Sequence, residues 1–151
     1  MYLIDTNIHV AFLLQNIEND TLTKQYLAMY EGIPFKERVV PDYILGELET
    51  FIIQVVPSRY QLPAEDVTKL KHLTHKYFRW LTEECTIVVP NIQTVERARD
   101  IYFENAATNY ISFIDSLCLA TAQHYSYIIF TRDKRMNSLA KQHHIATCEP
   151  H

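Results

Sequence analysis

Glycine is scarce in this chain: two residues in 151, beside six prolines. So few chain breakers exclude a collagen-like or low-complexity polymer. Cysteine is equally sparse. Cys85, Cys118 and Cys148 are odd in number and show no CxxC spacing, which points to reduced thiols in a cytoplasmic protein rather than a disulfide framework. No apolar run nears the roughly 20 residues that cross a bilayer. The longest are Ile52-Ile53 and Val55-Val56 around one Gln, and Ile87–Val89. Residues 1–15 carry no basic stretch before their apolar residues, so neither a secretory signal nor a membrane partner is expected. A GxGxxG turn and a P-loop are missing, which argues against those nucleotide-binding enzymes. No Ser-His-Asp grouping stands out. Positive charge is short as well: 14 Lys and Arg face 18 Asp and Glu, a net charge of −4. That balance excludes a bulk nucleic-acid coater, though a nucleic acid can still be a substrate if a metal ion reverses the local sign.

What remains suits one folded domain spanning residues 1–151. Apolar residues make up 48% and charged residues 21%, enough to bury a core at this length without staples. Tyr2-Leu3-Ile4 reads as a buried strand, followed by helices over about Asn7–Gln15 and Asp20–Tyr30. Arg38-Val39-Val40 reads as a second strand. Asp42–Val56 reads as a helix with Ile44, Leu48, Phe51 and Val55 on one face. The segment from Pro57 to Pro63 is expected to be a loop. Glu65–Thr82 follows as a long helix striped with Val67, Leu70, Leu73, Tyr77 and Leu81. Then come a strand at Thr86–Val89, helices at Thr94–Asn105 and Phe113–Tyr125, and a strand at Tyr127–Phe130. A helix at Lys134–Gln142 and a short strand at Ile145–Thr147 complete the chain. Short apolar strands alternating with helices predict an α/β fold, a three-layer α/β/α sandwich around a short parallel sheet.

Such sheets bind ligands outside the carboxyl ends of their strands. Three acids fall near that edge: Asp5 after the first strand, Asp133 after Tyr127–Phe130, and Asp115 in the first turn of the helix from Phe113. Each has a plain structural explanation. Asp5 and Asp133 precede helices and suit N-caps, and Ser112-Phe113-Ile114-Asp115 suits a capping box. Together on one rim, the three would repel one another and shift upward in pKa unless a cation neutralised them. Mg²⁺ and Mn²⁺ prefer such all-oxygen sites. On the helix from Asp42, Glu47 and Glu49 flank the apolar stripe about equally, so periodicity does not choose between them.

The ordered set Leu3-Ile4-Asp5-Thr6-Asn7, Gly46-Glu47-Leu48, Asp115 opening Asp115–Ala122, and Thr131-Arg132-Asp133 resembles PIN domains. The likeness is greatest to the VapC-type toxins of bacterial toxin–antitoxin pairs, and runs from Met1 to about Ile145. The resemblance implies a metal-dependent endoribonuclease whose catalytic quartet is Asp5, Glu47, Asp115 and Asp133. Asp5, Asp115 and Asp133 would hold Mg²⁺ or Mn²⁺, with Thr6, Asn7 and Thr131 in support. It also implies an RNA substrate, a small antitoxin as partner, and a homodimer. One departure concerns the helix from Phe113, which ends in His124-Tyr125-Ser126 where relatives commonly place a glycine.

Arg132, Lys134 and Arg135 flank Asp133 and are candidate phosphate contacts. Lys69, His72, Lys76 and Arg79 form a stripe opposite an apolar face, better read as solvated surface. His72 and His75 have helical spacing for a metal but no matching ligands, and Cys118 reads as a packed thiol. Two alternatives stand beside the nuclease: a PIN-like binding module without catalysis, and a phosphatase with Asp5 as nucleophile. Asn7 weakens the second, because it occupies the place where haloacid-dehalogenase phosphatases carry another Asp.

Overall fold

The computed structural model describes residues 1–17 and 20–150. Its chain alternates between strands and helices. In order these are β1 (Tyr2–Ile4), α1 (Thr6–Leu13), α2 (Thr21–Gly32), β2 (Arg38–Pro41) and α3 (Asp42–Thr50). There follow α4 (Val56–Arg59), α5 (Ala64–Glu84), β3 (Thr86–Val88), α6 (Ile92–Asn109) and α7 (Phe113–Tyr125). The chain finishes with β4 (Ile128–Phe130), α8 (Lys134–Gln142) and β5 (Thr147–Cys148). The strands form one parallel sheet in the order β3-β2-β1-β4-β5. From β1 the chain builds outward first through β2 and β3, then on the other side through β4 and β5. The reversal lies between β1 and β4, the crevice where open α/β sheets bind ligands.

Side-chain alternation along the strands divides the core. Leu3 and Ile129 enter a large apolar cluster with Ile44, Leu48, Leu81, Ile101 and Leu119. Their neighbours Ile4 and Phe130 point to the other face, into a smaller cluster with Ile8, Tyr26 and Tyr30. Two-sided burial accounts for the near-continuous apolar strands.

The segment Asp42–Pro63 differs from expectation. The helix does not stop at Val56, and Pro57 does not open a loop. A π-helical turn, Phe51–Val55, links α3 to α4, with the Val56 N–H reaching back to Phe51 O. Proline has no N–H and its ring clashes with the carbonyl four residues back, so the chain widens just ahead of Pro57 instead of breaking. The wide turn also resets the buried face. Ile44, Leu48, Ile52 and Val56 are buried, while Val55 is 37% exposed. Only Tyr60–Pro63 is left as connection.

On α5 the buried line is Leu70, Thr74, Tyr77 and Leu81, and Leu73 is 55% exposed. Thr74 tolerates burial because its hydroxyl donates to Leu70 O at 2.8 Å. Lys69, His72, Lys76 and Arg79 are exposed, with Lys69 paired to Glu65 and Arg79 to Glu83. Cys118 is a buried free thiol in the large cluster. The last strand lies at Thr147–Cys148, because Ile145 N bonds to Ala140 O and the chain is still turning there. α6 starts at Ile92, capped by Asn91, which accepts from Thr94 N at 2.9 Å. The turn after α7 needs no glycine. Ser126 itself adopts the left-handed conformation, φ 56° and ψ 41°, and its N–H closes on Ala122 O.

Candidate active site

β1 and β4 pair in parallel with Ile4 opposite Phe130. The next residue on each strand, Asp5 and Thr131, must therefore lie side by side at the carboxyl edge. Asp5 N bonds to Phe130 O at 3.1 Å, and the Thr131 hydroxyl donates to Asp5 Oδ2 at 2.5 Å. Asn7, the second residue of α1, donates from Nδ2 to Asp5 Oδ2 at 2.5 Å and to Thr131 Oγ1 at 2.8 Å. Its Oδ1 accepts from Arg132 N at 3.0 Å. Thr131 Oγ1 also accepts from Asp133 N at 3.0 Å, and Asp5 Oδ1 accepts from Thr6 N at 2.7 Å. These bonds lock both strand ends and Asp5 into one arrangement.

The other carboxylates converge from helices. The Thr6 hydroxyl donates to Glu47 Oε2, tying α1 to α3. Asp115 completes a capping box with Ser112: Asp115 N donates to Ser112 Oγ at 3.0 Å, and Ser112 N donates to Asp115 Oδ2 at 2.9 Å. Asp133 caps α8, accepting from Arg135 N at 2.7 Å and Met136 N at 3.3 Å. Asp5 and Asp133 are therefore N-caps, Asp115 is the helical partner in a capping box, and all three still line one cavity. It holds about 460 Å³ and is bordered by Asp5, Thr6, Asn7, Glu47, Asp115, Arg132 and Asp133. Glu49 points away and is exposed, so of the two glutamates only Glu47 faces the cavity.

Electrostatics set this rim apart. Asp5 is 6% exposed. Burial, then the charges of Asp115 and Glu47, push its carboxyl from 3.8 up to about 7, against the lowering by Thr131 and Thr6. Glu47 is raised by burial and by Asp115, and held back by the Thr6 hydroxyl. The donors are all oxygen, the chemistry that hard divalent cations select. Among the described residues, no three His, Cys, Asp or Glu side chains sit together at metal-binding spacing. The carboxylates thus share a cavity without forming a closed coordination shell.

Of the basic candidates, Arg132 borders the cavity and Lys134 does not. Arg135 reaches Asp133 Oδ2 at 3.5 Å and borders an adjoining cleft with Tyr110 and Met136. Sequence reading missed two further wall residues. Phe51 and Arg59 line the cavity, with the Arg59 guanidinium 5.4 Å from the Phe51 ring centre. Regular helical spacing conceals this pair, since only the wide turn brings both onto one wall. Asn7 is a carboxamide, which is no general acid, and its amide is engaged by Asp5, Thr131 and the Arg132 N–H, so it does not fill the acid's role in a phosphatase reaction.

An acidic cavity at the β1/β4 crevice of such a sheet is the arrangement of a PIN domain, and the PIN domain family pattern matches residues 2–142. The chain belongs to this family. Among solved structures it resembles FitAcB from Neisseria gonorrhoeae, with 16% identity, a TM-score of 0.69, and 99% and 98% of the two chains covered. It also resembles VapC20 of Mycobacterium tuberculosis, described as a toxin that cleaves the sarcin–ricin loop. The identity is 12%, the TM-score 0.63, and the shares covered 91% and 94%. VapBC-1 from nontypeable Haemophilus influenzae matches at 14% identity and a TM-score of 0.59, over 98% and 96%. No curated protein matches the chain by sequence. Among the described residues, no helix is long and apolar enough to cross a membrane.

Proposed function

We propose that this chain is a metal-dependent endoribonuclease and the toxin of a toxin–antitoxin pair. The observation that carries the reading is the gathering of Asp5, Glu47 and Asp115 in one cavity, where burial first, and the charges of Asp115 and Glu47 after it, push Asp5 to about 7. A monomer gains nothing from an unneutralised buried carboxylate, whereas a site that takes up a cation does. Asp5, Asp115 and Asp133 are the residues that would hold Mg²⁺ or Mn²⁺. Such an ion, when bound, acidifies water and offsets charge on the phosphoryl oxygens. Glu47, anchored by Thr6 and shifted upward by burial, is the carboxylate to which we assign acceptance of a proton from attacking water. Thr131 and Asn7 hold Asp5 in place while it works.

RNA as substrate is supported by the likeness to VapC20, a toxin that cleaves the sarcin–ricin loop. A small antitoxin partner is supported by the likeness to a toxin–antitoxin complex from Klebsiella pneumoniae. A homodimer is the assembly that the family resemblance suggests. The test is cleavage of a single-stranded RNA oligonucleotide by purified protein, with Mg²⁺, with Mn²⁺ and with EDTA. Cleavage should require the divalent ion and vanish in Asp5→Asn prepared identically. Equal cleavage in EDTA, or by Asp5→Asn, overturns the proposal.

A further inference from the structure

One part of the cavity lining, Phe51 and Arg59, is brought in by the wide turn. Eight residues along a regular α-helix would leave Arg59 roughly 80° away from Phe51, at 100° per residue. One inserted residue takes back about 100°, leaving the two within about 20° of each other. The contact agrees: the guanidinium stands 5.4 Å from the Phe51 ring centre, within cation–π range. A guanidinium laid on a ring keeps its N–H edge free for a planar partner. Among the described residues Arg59 forms no ion pair, although it shares the cavity with Glu47 and Asp5.

We propose that Arg59, seated on Phe51 by the wide turn ahead of Pro57, grips a phosphate of the nucleic-acid strand entering the acidic cavity. This rests on the nuclease reading and deepens it. The carboxylates repel a phosphodiester chain, and a fixed cation in the same cavity lining gives that chain a reason to enter in one register. Phe51 is a positioning residue that holds the guanidinium in place. The chemistry also explains why a π-turn, normally rare, stands here. A straight helix would send Arg59 elsewhere.

The experiment is steady-state cleavage of a short single-stranded RNA in Mg²⁺ at several salt concentrations. It compares wild type, Arg59→Ala, Arg59→Lys and Phe51→Leu. Arg59→Ala should raise KM about tenfold, the weight of one charge-assisted hydrogen bond, with kcat within about threefold. The slope of log KM against log salt should fall by about 0.7, one phosphate's worth for a single strand. Arg59→Lys should recover much of the KM and the full salt slope, and Phe51→Leu should fall between. Arg59 is exposed, so a changed salt slope is not a folding effect. If wild type cleaves but Arg59→Ala keeps both KM and slope, this inference fails and the nuclease reading stands. If wild type neither binds nor cleaves RNA with any divalent ion, the nuclease reading fails and takes this inference with it.

Discussion

Two groups of buried polar side chains lie at opposite edges of the same sheet and are finished to different degrees. At the amino edge, Arg38 opens β2 and is 3% exposed. Its guanidinium lies 4.1 Å from the Tyr30 ring centre, 4.5 Å from Phe35 and 5.7 Å from Trp80, and its Nε donates to Ile33 O at 2.9 Å. Nearby, Tyr77 OH bonds to His9 Nδ1 at 2.8 Å and to Tyr30 OH at 2.9 Å. One cation is wrapped in aromatic faces and carbonyls, and His9 is kept neutral. At the carboxyl edge, Asp5, Glu47 and Asp115 press negative charge together around an open cavity. The first cluster is shut off from solvent and, apart from His9 Nε2, which has no partner among the described residues, satisfied within itself, and it holds the fold together. The second is left incomplete, at a cost in stability, as expected of a rim that takes up a cation in the proposed nuclease.

The sharpest way to break this division is one substitution in each region. Asp115→Asn keeps an oxygen for the Ser112 N–H at the third helical position of the capping box and should change stability by less than about 1 kcal/mol. RNA cleavage should nevertheless fall about 1,000-fold, as expected when several kcal/mol of charge stabilisation are lost. Tyr77→Phe should do the reverse. It leaves His9 Nδ1 and Tyr30 OH without a partner, costing about 2 kcal/mol, while cleavage per folded molecule is unchanged. Urea titration and initial rates on the same preparations decide both. Were Asp115→Asn to unfold the chain, or Tyr77→Phe to abolish cleavage, the two edges would not be separate devices.

The two regions also differed in how far sequence exposed them. The carboxylate rim was readable because each aspartate follows a short apolar strand or starts an amphipathic helix, and parallel pairing carries such ends to one edge. Glu47 needed the family resemblance, since Glu49 was its equal on the wheel. Arg59 stayed hidden because Pro57 alters the helical period rather than ending it, so the loop expected from Pro57 took Arg59 with it, and a fixed 100° step set Phe51 on the apolar stripe. The same assumption put Val55 in the core in place of Ile52 and Val56. The Arg38 cluster was invisible for another reason. Its members are far apart in sequence, from His9 and Tyr30 to Tyr77 and Trp80, and nothing local marks them as neighbours. Leu73 misled because a leucine at helical spacing outweighed Thr74, whose buried hydroxyl is satisfied within its own helix.

Protonation separates the regions by sign. Burial first, and Arg38 second, lower His9 from 6.5 to about 3. The unfolded chain therefore binds a proton that the fold refuses between those values. The His9 contribution is complete above pH 6.5 and is lost as pH falls toward 3, by up to about 1.4 kcal/mol per unit. Asp5 runs the other way. With its carboxyl raised from 3.8 to about 7, the fold keeps a proton that the unfolded chain releases, so stability in EDTA is lost as pH rises from 3.8 through 7. The limbs oppose each other between pH 3.8 and 6.5, and the EDTA curve should be shallow there. Mg²⁺ should raise the melting temperature more at pH 8 than at pH 5, where it must displace the Asp5 proton. An equal rise at both pH values would detach the ion from the rim.

The smallest effect tests whether one helix serves both regions independently. α7 begins at the rim, where Asp115 sits in its capping box, and ends at the opposite edge with Ser126 at φ 56°. A non-glycine residue there suffers a contact between Cβ and backbone that glycine avoids. Against this relief stands the greater freedom that glycine brings to the unfolded chain. Ser126→Gly should therefore stabilise by about 0.5 kcal/mol, near 1–2 °C in melting temperature for a chain of this size. Ser126→Val, β-branched in the same conformation, should destabilise by about 1–2 kcal/mol. Neither should alter the Mg²⁺ dependence or rate of RNA cleavage, because the rim end of α7 is fixed by Ser112 and Asp115 and not by its far turn. A change in cleavage from Ser126→Gly would mean that strain at the amino edge is transmitted along α7 to Asp115, so the two ends would have to be treated as one unit.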